Sequence, residues 1–165
     1  MKTAFVLIPF LVAIDQLTKY LVRAQFALGE SLPLLPFFQL TYVTNTGAAF
    51  GMFGSAQKAN VFFIIFTVAV LVGSAVWYMR QRALLPRPAH AALLLITAGA
   101  LGNLIDRVAL GFVTDFLDVY AGSVHWPAFN VADSCLTVGG ILLAYCVLMD
   151  GRVPQALKEK GENRE

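Results

Sequence analysis

ANVFFIIFTVAVLVGSAVWYM, residues 59–79, is a long run of the chain without a charged side chain. The hydrocarbon core of a bilayer is about 30 Å thick, and a helix of about 20 apolar residues crosses it. Stretches of similar character occupy about 4–22, 89–105 and 131–149. Only 13% of the 165 residues are charged, where a soluble domain carries about a quarter. The sequence therefore predicts an α-helical membrane protein with four transmembrane helices.

The length of the chain is that of one domain. We expect residues 1–150 to form a single integral membrane domain and residues 151–165 to form a polar cytoplasmic tail. The first span begins like a signal peptide, with Lys2 before an apolar run. However, Asp15 interrupts that run and no small-x-small cleavage site follows, so we interpret it as an uncleaved span.

The basic residues near the span ends predict the orientation. Segment 80–87 carries three arginines and no acid, and Lys2 and the tail add further positive charge. Short loops rich in lysine and arginine stay in the cytoplasm. Both termini are therefore expected to be cytoplasmic, and segments 23–58 and 106–130 are expected to face outward.

The two outward segments contain strand signals. FFQLTYVTN (37–45) and FVTDFLDVY (112–120) combine aromatic and β-branched residues with partial alternation. HWPAFN (125–130) is a candidate third strand, so we expect a small outward-facing sheet on the membrane surface. GAAFGMFG (47–54) is predicted to form a short interfacial helix, whose apolar side chains would cover a nearby site.

Ionisable residues inside a membrane span are candidate functional groups. Asp15 and Lys19 are four residues apart and share a helix face. The structural interpretation is an ion pair near the outer end of the span, with Lys19 extending to the lipid headgroups, and the alternative is a functional role. In GNLIDR, Asn103 and Asp106 also share a face, whereas Arg107 points elsewhere. An asparagine one turn inside the span needs a hydrogen-bond partner, which predicts a polar network.

Asp115 and Asp133 form a candidate acid pair, because the 116–132 segment is long enough to turn back. When two carboxylates meet, one keeps its proton, and such a pair can activate water and protonate a carbonyl oxygen. Asp133 has a second explanation: it lies in the first turn of the last span, where Asn130 is a candidate N-cap. Asp118 would point to the opposite side of the strand from Asp115 and is predicted to be a solvated or hydrogen-bonded loop acid.

Other chemistries lack their motifs. Ser134 has no histidine or lysine near it in the sequence to act as a base, and the chain contains no G-x-S-x-G motif. His125 is a lone loop imidazole, and no histidine pair has zinc-site spacing. Cys135 and Cys146 would be about 16 Å apart along one helix, beyond disulfide reach. A net charge of +2 without a basic patch gives no reason to expect nucleic acid. No metal or cofactor is expected.

Five sequence blocks occur in the order DQLTK, NTGAAFG, GALGNLIDR, VTDFLDV and FNVADS. In these blocks and over almost its whole length the chain resembles the lipoprotein signal peptidases of bacteria, also called signal peptidase II. The resemblance implies an aspartic endopeptidase of the inner membrane, with its site at the periplasmic face and no cofactor. It would cut diacylglyceryl-modified prolipoproteins just before the lipidated cysteine. It also implies four membrane helices, a β-cradle and a surface helix.

By motif match, the resemblance assigns the catalytic dyad to Asp115 and Asp133. The positions that it assigns to lining and supporting the site are Asn45, Asn103, Asp106, Arg107, Asn130, Asp15 and Lys19. The expected partners are lipidated prolipoproteins and membrane lipids, and the protein is expected to be a monomer.

Two alternatives remain open at this point. One is a small transporter or channel that uses Asp15, Lys19 and Asp106 as an intramembrane relay. The other is a non-catalytic membrane scaffold in which the asparagines and aspartates only pair helices. The acids gather at one membrane face rather than along a path across it, which favours the peptidase.

Overall fold

A computed structural model of the chain describes residues 2–47 and 55–149. The elements, in chain order, are α1 (Lys2–Gln25), β1 (Ser31–Leu35), β2 (Phe38–Asn45), α2 (Ala56–Gln81), α3 (Arg87–Leu110), β3 (Val113–Ala121), β4 (Val124–His125) and α4 (Val131–Met149). Apart from Gly47, the interfacial helix predicted at 47–54 lies outside the described residues, and so does the tail at 151–165.

Within the described part of the chain, three helices are long and apolar enough to cross a membrane, namely α2, α3 and α4. They coincide with the last three predicted spans. Helix α1 is also 24 residues long, but it carries Asp15, Lys19 and Arg23 and is not one of these three. The helices agree with a multi-span membrane protein, and the fourth span stays a prediction.

Helix α3 lies at the centre and packs against α1, α2 and α4. Small residues allow the closest of these approaches. A Cβ atom on Gly99 would collide with the carbonyl oxygen of Ala132, and one on Gly139 would lie 2.9 Å from the carbonyl oxygen of Ala92. The backbones of α3 and α4 therefore touch along their length, as small residues allow in membrane helices.

The end of α3 directs the chain into the sheet. Gly111 adopts a left-handed conformation with φ of 83°, which glycine adopts without steric cost. Its N–H donates to the carbonyl oxygen of Arg107 at 3.2 Å. Strand β3 begins two residues later, so this turn sets Asp115 close to the end of α3.

The predicted small sheet is confirmed, with strand order β1-β2-β3-β4 and antiparallel neighbours. In the β2–β3 pair, Val43 lies opposite Asp115 and Gln39 lies opposite Asp118. The register shifts between Leu40 and Val43, where β2 is irregular. This pairing fixes which residues of β2 reach each acid of β3.

One strand was not predicted, and one strand prediction was wrong in detail. The sequence does not predict β1, because SLPLL contains Pro33 and does not alternate. Among the described strands it pairs only with β2, and an edge strand tolerates proline. The strand expected at 125–130 is limited to Val124–His125 and an isolated bridge between Phe129 and Leu117. Pro127 lies between them and has no N–H to donate to a ladder.

Candidate active site

Asn130, the residue before α4, joins the two carboxylates of the predicted pair. It is completely buried. Its Nδ2 donates to Oδ1 of Asp115 at 2.7 Å, and its backbone N–H donates to Oδ2 of Asp133 at 3.2 Å. Its Oδ1 accepts from the backbone N–H of Asp133 at 2.9 Å. One asparagine thus holds an acid from β3 and an acid from α4.

The position of Asp133 agrees with both explanations offered by the sequence. The reciprocal bonds with Asn130 form a cap at the start of α4. The other carboxylate oxygen, Oδ1, accepts from Nδ2 of Asn103 on α3 at 2.8 Å. Capping therefore uses one oxygen, and the contact with α3 uses the other.

Asp115 is only 2% exposed, and each of its oxygens accepts from an amide. The second donor is Nδ2 of Asn45, which lies 3.0 Å from Oδ2. Burial and, next, the charge of Asp133 raise the pKa of Asp115 from 3.8 to about 6, against the opposing effects of the amides and Lys19. Both protonation states of this carboxyl are therefore accessible close to neutral pH.

A buried ion cluster centred on Lys19 supports this pair. Its Nζ lies 2.9 Å from Oδ2 of Asp15 and 3.4 Å from Oδ2 of Asp106, and it donates to Oδ1 of Asn103 at 2.9 Å. The side chain is fully buried. The predicted ion pair of Asp15 and Lys19 is therefore confirmed, but the extension of Lys19 to the headgroups is wrong, because groups on α3 hold the ammonium inside the bundle.

The acids of this cluster also fix the backbone next to each carboxylate of the pair. Oδ1 of Asp15 accepts from the N–H of Ala132 at 2.8 Å, and Oδ2 of Asp106 accepts from the N–H of Thr114 at 2.9 Å. Ala132 directly precedes Asp133, and Thr114 directly precedes Asp115. The positions of the two carboxylates are thus set by one buried cation and its counter-ions.

Arg107 points away from this cluster, as the helix spacing predicts. Its guanidinium lies over the ring of Phe63, 5.1 Å from the centroid, and its carbonyl oxygen accepts from Nδ2 of Asn60 at 3.1 Å. It still interacts electrostatically with Asp133 and Asp115. In the described part of the chain, Nε of Arg107 and Oδ1 of Asn60 are buried without a hydrogen-bond partner.

Asp118 is separate from the pair, as predicted from the strand alternation. Its carboxylate accepts from Nε2 of Gln39 at 2.7 Å and from the hydroxyl of Thr41 at 3.1 Å, and Nδ1 of His125 lies 2.9 Å away. Burial raises the pKa of Asp118, but the hydrogen bonds from His125, Gln39 and Thr41 outweigh it and the pKa is lowered. His125 hydrogen-bonds to Asp118 and also stacks on the ring of Tyr120, so its imidazole is not isolated.

The two carboxylates line two adjacent open cavities. Asp115 lines a cavity of about 500 Å³, which is bounded also by Asn45. Asp133 lines a cavity of about 540 Å³, together with Trp126, Phe129 and residues of α4. Pro127 and Ala128 belong to both walls. An extended chain that crosses Pro127 and Ala128 would pass both acids.

Sequence reasoning missed four polar residues of the site, namely Gln16, Arg23, Asn60 and Thr114. Arg23 donates to the hydroxyl of Thr114 at 2.9 Å and lies 3.9 Å from Asp106. It lies four residues after Lys19, so helix spacing alone signals its membership. Gln16, which donates to Asp106 at 3.2 Å, has no such local signal.

The remaining candidates are accounted for by packing. Cys135 and Cys146 are buried free thiols, as the spacing predicts. Among residues 2–47 and 55–149, no three histidine, cysteine, aspartate or glutamate side chains are arranged to hold a metal ion. The site brings together two carboxyl groups, their amide partners and a guanidinium.

Comparisons with known proteins show the family to which the chain belongs. The model of a family described as signal peptidase (SPase) II matches residues 7–149. The lipoprotein signal peptidase of Desulforapulum autotrophicum is 43% identical, over 87% of this chain and 90% of that protein. The lipoprotein signal peptidase of Syntrophotalea carbinolica is 50% identical, over 81% of this chain and 84% of that protein.

The fold is similar to solved structures as well. A bacterial membrane enzyme determined at 2.3 Å by the in meso method matches with a TM-score of 0.78 and 37% identity, over 91% of this chain and 90% of that one. Another, determined at 1.9 Å by the same method, matches with a TM-score of 0.79 and 35% identity, over 91% and 95%.

Proposed function

We propose, because this chain belongs to the signal peptidase II family, that it is a membrane peptidase that removes signal peptides from prolipoproteins. The substrate carries a diacylglyceryl group on a cysteine, and the bond cut is the one just before that cysteine. The acyl chains hold this cysteine in the outer leaflet. The scissile bond therefore reaches the enzyme at the membrane surface.

Asp115 and Asp133 are proposed to be the catalytic pair, which makes the enzyme an aspartic peptidase. The observation that carries this is the placement of Asn130, which hydrogen-bonds both carboxylates at 2.7 Å and 3.2 Å. The pKa of Asp115, raised to about 6, supports a pair in which one member stays protonated.

The reaction then uses both protonation states. The ionised carboxylate takes a proton from water, whose oxygen forms the new bond to the scissile carbonyl carbon. The protonated carboxyl donates its proton to the carbonyl oxygen, which gives a tetrahedral intermediate. Its collapse breaks the carbon–nitrogen bond, and the carboxyl that took the proton from water gives it to the leaving amine. One hydroxyl of the intermediate returns its proton to the other carboxylate as the carbonyl forms again, which restores the pair. Asn45, Asn103, Asn130, Asp106 and Arg107 are proposed to orient the acids and substrate, with Asp15 and Lys19 in support.

The proposed topology has four spans, with α1 as the first, both termini in the cytoplasm and the site at the periplasmic face of the inner membrane. The surface of α1 supports its membrane position, because Phe10 and Leu17 are exposed while Asp15 and Lys19 are buried against the bundle. We also propose that residues 1–150 form one domain, that 151–165 form a cytoplasmic tail and that the protein acts as a monomer among membrane lipids.

The direct test is incubation of the purified protein with a diacylglyceryl-modified prolipoprotein and with the same substrate left unlipidated. Cleavage of only the lipidated form is expected. Asp115→Asn and Asp133→Asn are each expected to abolish cleavage, whereas Asp118→Asn, in the same strand as Asp115, is expected to retain most of it. Cleavage by either of the first two variants would refute the assignment of the pair.

The transporter alternative is not supported by the family comparisons. Its expected relay residues, Asp15, Lys19 and Asp106, contact one another at one end of the bundle rather than forming a path across it. The scaffold alternative predicts no turnover of a lipidated substrate by the wild-type protein, so the same incubation tests it.

A further inference from the structure

A cavity of about 200 Å³ lies at the opposite end of the helices from Asp115 and Asp133. Its walls come from Ile8 of α1, from α2 between residues 71 and 78, and from α3 between residues 90 and 97. We call it the α1–α2–α3 groove. None of the site residues described above lines it, so it is a separate feature of the molecule.

The groove covers about 10 Å of helix length within one membrane leaflet. Tyr78 and His90 are each three residues from the helix ends that meet at the turn between α2 and α3, which corresponds to about 5 Å. Leu71 and Thr97 are each ten residues from those ends, which corresponds to about 15 Å. Half of the hydrocarbon core is also about 15 Å thick. The groove thus runs from near the leaflet surface towards the bilayer centre.

The mouth of the groove is polar and its walls are apolar. Nδ1 of His90 and the hydroxyl of Tyr78 are 3.2 Å apart, and their rings meet edge to face. Deeper in the groove, the hydroxyls of Ser74 and Thr97 bond to carbonyl oxygens of their own helices at 2.6 Å and 2.7 Å. These hydroxyls are satisfied within their helices, so the deeper walls suit a hydrocarbon chain.

Positive charge lies above the mouth. Arg87 precedes His90 by three residues and shares its face of α3, and Arg82 follows Tyr78 by four residues, at the end of α2. Both arginines are exposed. Segment 71–97 contains no acidic residue. The groove therefore combines an apolar slot with a cationic rim.

We propose that the α1–α2–α3 groove binds one acyl chain of an anionic phospholipid, with the phosphate at the rim beside Arg87. The Tyr78–His90 pair lies at the depth of the ester groups and contacts them. A basic rim between membrane helices on the cytoplasmic side suits an anionic headgroup. The bound lipid contacts α2 on one side and α1 and α3 on the other, so it links α2 to the other two helices.

Other occupants fit less well. One turn of a helix is about 10–12 Å wide and 5.4 Å long, and a cylinder of that size has a larger volume than the cavity of about 200 Å³. The signal peptide of a substrate begins with a positively charged region, which the arginine rim would repel. The proposal does not depend on peptidase activity, so it stands or fails separately from the proposed function.

The test is native mass spectrometry of the full chain in detergent, with phosphatidylglycerol or phosphatidylcholine added. Retention of one phosphatidylglycerol in preference to phosphatidylcholine is expected. Arg87→Gln is expected to weaken that retention about 5-fold, the effect of one basic residue near an anionic headgroup. Arg80→Gln is the matched control: it removes the same charge from the same end of α2, but about 200° around the helix from Tyr78.

Filling the slot tests the acyl chain independently of charge. Ala75→Leu and, separately, Leu71→Phe are expected to reduce phosphatidylglycerol retention to the level of phosphatidylcholine. Equal retention of the two lipids, equal effects of Arg80→Gln and Arg87→Gln, or no effect of either filling variant in folded protein would overturn the proposal. Full competition by free glycerol phosphate would also overturn it, because that ligand has no acyl chain.

Discussion

Asp115→Asn is expected to change how the stability of the protein depends on pH. Burial, followed by the charge of Asp133, raises the pKa of Asp115 from 3.8 to about 6. One unit of pKa corresponds to about 1.4 kcal/mol, so ionising this carboxyl costs about 3 kcal/mol more in the folded protein than in the unfolded chain. The side chain of asparagine has a similar shape but does not ionise, so the variant does not carry this ionisation cost at any pH.

The sign follows from proton binding. Between pH 3.8 and about 6 the folded state binds this proton more tightly than the unfolded state, so the contribution of Asp115 to stability is complete below 3.8 and lost above about 6. The unfolding free energy of the wild type, minus that of Asp115→Asn, should therefore fall by about 2 kcal/mol between pH 4 and pH 7. For a chain of this size that is about 4–8 °C in Tm.

The assay is thermal unfolding in detergent across this pH range, followed by tryptophan fluorescence. Asp118→Asn is the control with the opposite sign, because the lowered pKa of Asp118 gives stability that is present above its unfolded pKa and lost as pH falls. A wild-type minus Asp115→Asn difference that stays constant with pH, or that changes in the same direction as that of Asp118→Asn, would refute the reasoning.

Three further predictions concern the surroundings of the pair. Lys19→Met leaves Asp15 and Asp106 buried without their cation, and should lower the unfolding free energy by about 3–5 kcal/mol. Lys58 is exposed, so Lys58→Met should change the unfolding free energy by less than about 0.5 kcal/mol. Equal melting temperatures for the two variants would contradict this. Gly102→Ala puts a Cβ 2.5 Å from Oδ2 of Asp15 and should destabilise the protein by about 1–3 kcal/mol in the same assay. The Cβ of Gly140→Ala meets no atom within 4 Å, so this variant should stabilise the protein by up to about 1 kcal/mol. A Gly102→Ala variant more stable than Gly140→Ala would show that α1 and α3 are not packed as described. Asn130→Ala removes a hydrogen bond that favours the ionised form of Asp115. The limb of the cleavage pH–rate profile that reports this acid should therefore move to higher pH. A limb that does not move would rule out a role of Asn130 in setting the pKa of Asp115.

Local sequence patterns predict much of this fold. Apolar runs such as 59–79 predict α2, α3 and α4 because membrane helices must be long and apolar wherever they pack. The alternation around Asp115 predicts β3 and separates this acid from Asp118, because successive strand residues face opposite sides. The edge strand β1 escapes such patterns, because its hydrogen bonds come from β2 and not from any periodicity of its own.

The acids of the candidate site are also identifiable from sequence, because carboxylates are rare in so apolar a chain. Their partners are not. Lys19 and Asn103 are 84 residues apart along the chain, and Arg23 and Thr114 are 91 apart, yet each pair is hydrogen-bonded. No local spacing predicts such contacts, and the same Lys19 would suit a headgroup contact equally well.

The sequence by itself therefore determined the class of protein, the helices and which carboxylates are candidates for the site, because each depends on composition and short-range periodicity. Only the tertiary structure decided that Lys19 is buried, that its counter-ions hold the backbone before each acid and that Asn130 lies between Asp115 and Asp133. The physical reason is that a buried polar group must find its partner wherever packing brings one, and the close approach of α3 to α4 decides which residues those are.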